Sequence, residues 1–108
     1  MKHRYAAQFS GGTAVTLTVN FDAIREGKRF REASYFRVLK KGSDKDYEEY
    51  RSWMLGIMSC VARETKRPLI RLFQNPNGTK EWWACDADGK LDGTWPLLYG
   101  SRHNPDLK

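Results

Sequence analysis

The sequence has few cysteines, few histidines and no long hydrophobic run. Its cysteines are Cys60 and Cys85, too few for a disulfide scaffold or a structural zinc site. A membrane-spanning helix needs about 18 or more consecutive apolar residues, and no segment approaches that length. The first residues also lack the apolar stretch of a secretory signal. We therefore expect a cytoplasmic protein with no membrane partner.

Sequence motifs of catalysis are also absent. The chain contains no glycine-rich phosphate loop, no nucleophile elbow and no pair of histidines at metal-ligand spacing. Aspartates surround Gly89, but the glycine and glutamate of a calcium loop are not at their required places, so we predict a turn. Both cysteines fall on predicted apolar faces, where a free thiol packs as a small hydrophobic group. The sequence therefore predicts a protein that is not an enzyme and holds no cofactor or metal ion.

The residues that are present suffice for one small domain. The chain has 108 residues, of which 40% are hydrophobic and 13% are aromatic. This length fits a single domain, and this composition fits a packed core rather than a disordered chain. We predict one α+β domain over residues 1–100 and a flexible C-terminal tail over residues 101–108.

Positive charge is concentrated in the first part of the chain. The formal net charge is +6. Residues 1–41 carry nine Lys or Arg against three Asp or Glu, whereas residues 42–108 carry ten of each sign. Such an asymmetry favours a polyanionic partner, with nucleic acid first. The same charge is also compatible with a solvated face that only keeps the protein soluble.

The first forty residues predict a three-stranded antiparallel meander. Residues 4–9 and 13–19 flank Gly11-Gly12, and bulky apolar residues alternate with threonine along the second of these segments. That alternation is typical of a half-buried strand, and the glycines supply the positive φ of a tight turn.

A further turn at Glu26-Gly27 pairs residues whose numbers sum to 53. The pairs are Val15 with Val38, Leu17 with Phe36, Thr16 with Arg37, Thr18 with Tyr35, and Asp22 with Arg31. In this register, apolar and polar side chains separate onto opposite faces of both strands, and an acidic residue faces a basic one. The alternative is a short helical turn over residues 21–25 that is stopped by the glycine.

Residues 44–65 predict one amphipathic helix. Residues 43–46 supply a capping side chain and acidic residues for the first turn, and Pro68 prevents continuation. Apolar residues recur at helical spacing at Tyr47, Tyr50, Met54, Ile57 and Val61. We expect this stripe to pack in the core against one face of the sheet.

A C-terminal hairpin is predicted around Asn77-Gly78, the strongest dipeptide signal for a two-residue turn. This turn pairs residues whose numbers sum to 155, and it points Leu72 and Trp83 toward the core. The side chains that point outward are Arg71, Phe73 and Trp82. The predicted fold is therefore α+β: an antiparallel sheet, made of the N-terminal meander and the C-terminal hairpin, with one amphipathic helix packed on one face.

Two candidate binding surfaces follow from these faces. The first is the basic-aromatic face of the long hairpin, made of Lys28, Arg29, Arg31, Tyr35, Arg37, Lys40 and Lys41. Guanidinium groups match phosphate geometry, and an exposed tyrosine offers a base a stacking platform. The second is the outward face of the last hairpin (Arg71, Phe73 and Trp82), which is either a protein interface or a layer covered by residues 95–99.

From these surfaces we expect a nucleic-acid-binding accessory protein that favours single strands. The alternative is a protein-binding module, such as an inhibitor from a phage or mobile element that binds a host defence or nucleoprotein complex. A third alternative is a small ribonuclease, whose acid–base residues would come from Tyr99, Arg102 and His103.

Overall fold

The computed structural model describes residues 2–74, 76, 78 and 80–92. Within these ranges the elements are, in chain order, β1 (Lys2–Gln8), β2 (Ala14–Asn20), α1 (Phe21–Arg25), β3 (Ser34–Lys40), α2 (Tyr47–Thr65), β4 (Leu69–Gln74), β5 (Lys80–Cys85) and β6 (Leu91–Asp92). The predicted α+β class is confirmed, and none of the described helices is long and apolar enough to span a membrane. The predicted cover over residues 95–99 and the predicted tail over residues 101–108 lie outside the described residues.

The first sheet is an antiparallel meander in the order β1-β2-β3. The predicted pairing of β2 with β3 is confirmed for Val15 with Val38, Thr16 with Arg37, Leu17 with Phe36, and Thr18 with Tyr35. The alternation along β2 determines this register, because a slip by one residue would move Leu17 and Val19 from the core into water. Beyond these pairs the register shifts, and Leu39 forms a bulge near the end of β3.

The chain between β2 and β3 contains the helical turn α1 instead of the two-residue turn at Glu26-Gly27. The Asn20 side chain caps this helix by accepting a hydrogen bond from the Ala23 N–H at 3.1 Å. Phe21 and Ile24 of α1 are buried. The helical turn places both apolar side chains in the core, whereas strand alternation would put Phe21 and Ile24 on opposite faces.

The long helix α2 forms as predicted, after a 3₁₀ turn over Asp44–Asp46. The Ser43 hydroxyl accepts a hydrogen bond from the Lys45 N–H, and Lys66 adopts the left-handed conformation that ends the helix. The buried side of α2 consists of Met54, Leu55, Ile57, Met58, Val61, Ala62 and Thr65. Its apolar side chains share one core with Leu17 of β2, so α2 covers that face of the first sheet.

The second sheet has the order β4-β5-β6, and its register differs from the prediction. The connection between β4 and β5 spans residues 75–79, and paired numbers sum to 154. The predicted two-residue turn at Asn77-Gly78 was therefore wrong, by one residue of register. The shift by one residue moves every side chain of β4 to the face opposite to the predicted one. Phe73 is therefore buried, with 1% of its surface exposed, while Trp83 packs against the core as predicted. Burial of the large Phe73 side chain stabilises this register.

Candidate nucleic-acid interface

Strand alternation gives the first sheet a second face, opposite to α2. Two cross-strand rows lie on it: Arg4 beside Thr18 beside Tyr35, and Ala6 beside Thr16 beside Arg37. Lys2 lies opposite Asn20 at one end of the sheet, and Lys40 lies opposite Ala14 at the other end. We call this surface the outer face, and its members are Lys2, Arg4, Ala6, Thr16, Thr18, Tyr35, Arg37 and Lys40.

The aromatic residue of the outer face is Tyr35, and 64% of its surface is exposed. Arg37 follows two residues along the same strand, and Arg4 lies two strands away in the same row as Tyr35. Both arginines are exposed, whereas Thr16 on the central strand is buried. The face therefore presents an exposed tyrosine beside the threonines of the central strand, with guanidinium groups on both edge strands.

The electrostatics of the outer face are of one sign. Its charged side chains are Lys2, Arg4, Arg37 and Lys40, and the three strands contain no acidic residue. Because no carboxylate interrupts them, their positive potentials add over the face. Such a surface attracts anions and repels cations.

The structure brings only part of the sequence-predicted basic surface together. Tyr35, Arg37 and Lys40 lie on the outer face, and Lys41 directly follows β3. The other predicted members, Lys28, Arg29 and Arg31, lie in the loop between α1 and β3 rather than on a strand. The physical reason is α1, because a helical turn over Phe21–Arg25 leaves these loop residues without a partner strand.

Two arginines of this helix and loop lie close to a carboxylate three residues away along the chain. Arg29 lies 3.6 Å from Glu32, and Asp22 lies 3.3 Å from Arg25. The predicted pairing of Asp22 with Arg31 was therefore wrong. In a helical turn the side chains of residues i and i+3 are neighbours, so Asp22 contacts Arg25 and not Arg31.

Sequence reasoning missed Lys2 and Arg4 as members of the site. Both belong to β1, for which no register was predicted, and Arg4 lies directly opposite Thr18. The alternation of β2 contained the necessary signal. Once Thr18 is assigned to the outer face, its cross-strand neighbour on β1 has to share that face.

The second predicted surface, made of Arg71, Phe73 and Trp82, is divided between two faces of the hairpin. Phe73 is buried on the α2 side, where its ring lies 5.9 Å from that of Tyr50. Arg71 is half-buried on the same side, and Trp82 is half-buried on the opposite side. The prediction that Arg71 and Phe73 point outward was wrong, because the register shift reverses β4 and leaves β5 as predicted.

The two cysteines occupy different environments. Cys85 is buried as predicted, and this burial raises the pKa of its thiol to about 11. Cys60 was predicted to lie in the core but is exposed. It shares its side of α2 with Gly56 and Ser52, four and eight residues earlier, which are exposed as well.

The acidic segment around Gly89 is the predicted turn. The Gly89 N–H donates a hydrogen bond to the Asp86 carbonyl at 3.0 Å. The Asp86 carboxylate accepts hydrogen bonds from the backbone N–H groups of Asp88 and Lys90. In the described part of the chain, no group of three or more His, Cys, Asp or Glu side chains is placed to hold a metal ion.

The geometry of the outer face carries the functional argument. In comparisons with known proteins, no family model, no curated protein and no solved structure matches this chain.

Proposed function

We propose that this protein is a non-catalytic, nucleic-acid-binding accessory protein that holds a single strand on its outer face. The observation that carries the proposal is the Tyr35 ring, 64% exposed, among cationic side chains on strands without an acidic residue. A surface of this kind combines base stacking with phosphate binding. It would act in the cytoplasm, the location expected from the sequence.

The parts of the outer face have separate tasks in this proposal. Arg4 and Arg37 donate charge-assisted hydrogen bonds to phosphate oxygens, and Tyr35 stacks on a base. Bases in a duplex are already stacked on each other, so an exposed aromatic ring favours single strands. Phosphate contacts carry no base information. We therefore expect weak sequence preference and a steep dependence of affinity on salt.

Fluorescence anisotropy with a labelled oligothymidine of about 15 nucleotides tests the proposal. Arg37→Gln should lower the affinity and reduce the slope of log affinity against log salt by about one unit. Tyr35→Ala should lower the affinity about tenfold without changing that slope, because stacking is lost and no charge is removed. This difference between the two variants separates stacking from phosphate binding.

A matched control is Lys90→Gln, which removes one positive charge from the exposed turn between β5 and β6. It should leave both affinity and slope nearly unchanged, because Lys90 lies in the turn before β6 and not on the outer face. Absence of wild-type binding to single- and double-stranded oligonucleotides at about 50–100 mM salt contradicts the proposal. Tighter binding to the duplex contradicts the preference for single strands.

A second candidate function is protein binding, favoured by two apolar side chains at the bulge of β3. Val38 and Leu39 are 54% and 52% exposed, and within the described residues β3 pairs only with β2. An apolar edge strand suits a partner that adds a strand of its own. The protein would then be a phage or mobile-element inhibitor of a host defence or nucleoprotein complex. Partner capture that resists nuclease treatment favours this function, and nuclease-sensitive capture favours the first.

A further inference from the structure

Arg71 extends from β4 to β3 at the junction of the two sheets. Its guanidinium carbon lies 5.5 Å from the centre of the Phe36 ring, and its Nη2 donates a hydrogen bond to the Tyr50 hydroxyl at 3.2 Å. Three elements therefore meet at this side chain, because Phe36 belongs to β3 and Tyr50 belongs to α2. No backbone ladder joins β3 to β4 in the described part of the chain, so Arg71 spans two separate sheets.

The hydrogen bonding of this guanidinium is incomplete. Its Nε is buried and has no hydrogen-bond partner, and no described carboxylate forms a salt bridge with Arg71. Arg25 and Arg29, by contrast, each lie within 3.6 Å of a carboxylate. A guanidinium is always charged and carries five N–H donors, so partial burial without an anion costs free energy. An anionic ligand would accept hydrogen bonds from this guanidinium and offset its charge.

The surroundings of Arg71 hold the guanidinium in one orientation. The Tyr50 ring lies 5.4 Å from that of Phe36 and 5.9 Å from that of Phe73, so its hydroxyl is positioned by packing on two sides. A guanidinium that lies near an aromatic ring and donates a hydrogen bond to a packed hydroxyl has few orientations open to it, and its remaining donors share one plane. A planar donor fork matches two oxygens of one phosphate group.

The junction also adjoins the outer face. Phe36 lies between Tyr35 and Arg37 along β3, and these two residues point to the other side of the sheet. Because β3 is an edge strand of its sheet, only this one strand separates Arg71 from the outer face. The path from the outer face to Arg71 crosses the edge of β3, where Val38 and Leu39 are exposed.

We propose that Arg71, held by Phe36 and Tyr50, is a phosphate-binding site, and that its phosphate comes from the nucleic-acid strand bound on the outer face. This inference rests on the proposed function for the source of the phosphate. The phosphate oxygens accept hydrogen bonds from the guanidinium and neutralise its charge. The bound strand thus contacts both sheets, which a strand confined to the outer face would not do.

Oligothymidine titrations across a salt series test this site with two variants. Arg71→Met keeps an unbranched apolar stem and removes the charge, and it should lower affinity about tenfold and the salt slope by about one unit. Arg71→Lys keeps the charge without the planar fork, and it should lower affinity while leaving the slope unchanged. Urea denaturation of both variants verifies that they fold, and Lys90→Gln is again the matched loss of charge.

The failure of this site and the failure of the proposed function give different results. If Tyr35→Ala and Arg37→Gln weaken binding but Arg71→Met leaves affinity and slope unchanged, the Arg71 site is overturned and the proposed function stands. If the wild type binds no oligonucleotide, a titration with inorganic phosphate shows whether Arg71 binds phosphate at all. The titration is followed through the NMR signal of the Arg71 Nε–H. A saturable shift supports the phosphate site and overturns its assignment to nucleic acid. No shift overturns both.

Discussion

The Asp46 carboxylate accepts a hydrogen bond from the backbone N–H of Gly11 at 2.6 Å. Its other oxygen accepts the N–H of Thr13 at 3.0 Å. Asp46 is 3% exposed just before α2, and both donors belong to the turn between β1 and β2. Glu49 binds the same turn through the N–H and the hydroxyl of Ser10. These contacts attach the first sheet to the start of the helix.

We expect Asp46→Asn to destabilise the protein in a pH-dependent way. Hydrogen bonds from the Thr13 side chain and from the backbone N–H groups of Thr13 and Gly11 hold the pKa of Asp46 below its ordinary value of 3.8. The carboxylate's contribution to the free energy of unfolding is therefore fully present well above pH 3.8. It is lost as the pH falls through the lower pKa of the folded state.

Urea denaturation of the wild type and Asp46→Asn at a series of pH values measures this contribution. The gap between their free energies of unfolding should be widest near neutral pH and should shrink below about pH 4. Carboxylates that both proteins share cancel in this comparison. A gap that stays constant to about pH 2 would show that the charge of Asp46 does not stabilise the turn.

The register of the second sheet predicts unequal effects for two neighbours on β4. Phe73 is 1% exposed in the core, whereas Leu72 is half-buried on the opposite face. Phe73→Ala should therefore lower the free energy of unfolding by about 3–5 kcal/mol, and Leu72→Ala should cost less than about 2 kcal/mol. Denaturant unfolding of the two variants measures the difference. A larger loss of stability for Leu72→Ala than for Phe73→Ala would instead support the register in which paired numbers sum to 155.

The two hairpins show which part of a register the sequence determines. Along β2, Val15, Leu17 and Val19 alternate with threonines, so only one register buries the apolar set, and the predicted pairing with β3 is confirmed. Along β4, Leu69–Gln74 has apolar residues on both faces, so alternation does not choose between them. The prediction then depended on turn chemistry alone, and the five-residue connection changed the face of Phe73.

The site residues also differ in whether local sequence determines their position. Tyr35 and Arg37 were assigned to the outer face because strand alternation is a local property. The position of Arg71 depends on the docking of β4 against β3 and α2, which are separated along the chain, and no local pattern encodes it. Arg29 and Arg31 lie in a loop because the burial of Phe21 and Ile24 favours a helical turn over a continued strand. The sequence left that helical turn open as an alternative.

The cysteine environments predict a single reactive thiol in the native protein. Cys60 is exposed, whereas Cys85 is 1% exposed and its pKa is raised to about 11 by burial. Because the thiolate is the reactive form, Cys85 should resist alkylation at pH 7–8, the range of about three to four units below its pKa. Peptide mass spectrometry after iodoacetamide treatment should find label on Cys60 alone.

Two controls complete the thiol experiment. Cys60→Ser should remove all rapid labelling of the native protein, and unfolding in urea should make Cys85 reactive because its burial is lost. Rapid labelling of Cys85 in the folded Cys60→Ser protein would contradict the packing of β5 against α2.

Arg4 extends the outer face to a third strand, and its substitution tests that extension. It lies opposite Thr18, in the same cross-strand row as Tyr35. We expect Arg4→Gln to weaken oligothymidine binding about as much as Arg37→Gln and to reduce the salt slope by about one unit, because each variant removes one guanidinium to which the proposed function assigns a phosphate contact. The double variant should reduce the slope by about two units if the two contacts are independent.

The free energy of unfolding should change by no more than about 0.5 kcal/mol in either single variant, because both side chains are exposed. A loss of binding can then be assigned to the surface and not to the fold. If Arg4→Gln leaves affinity and slope unchanged while Arg37→Gln reduces both, the oligonucleotide contacts β3 and not β1. The binding surface would then be the part of the predicted basic face that the structure brings together, which is Tyr35, Arg37, Lys40 and Lys41.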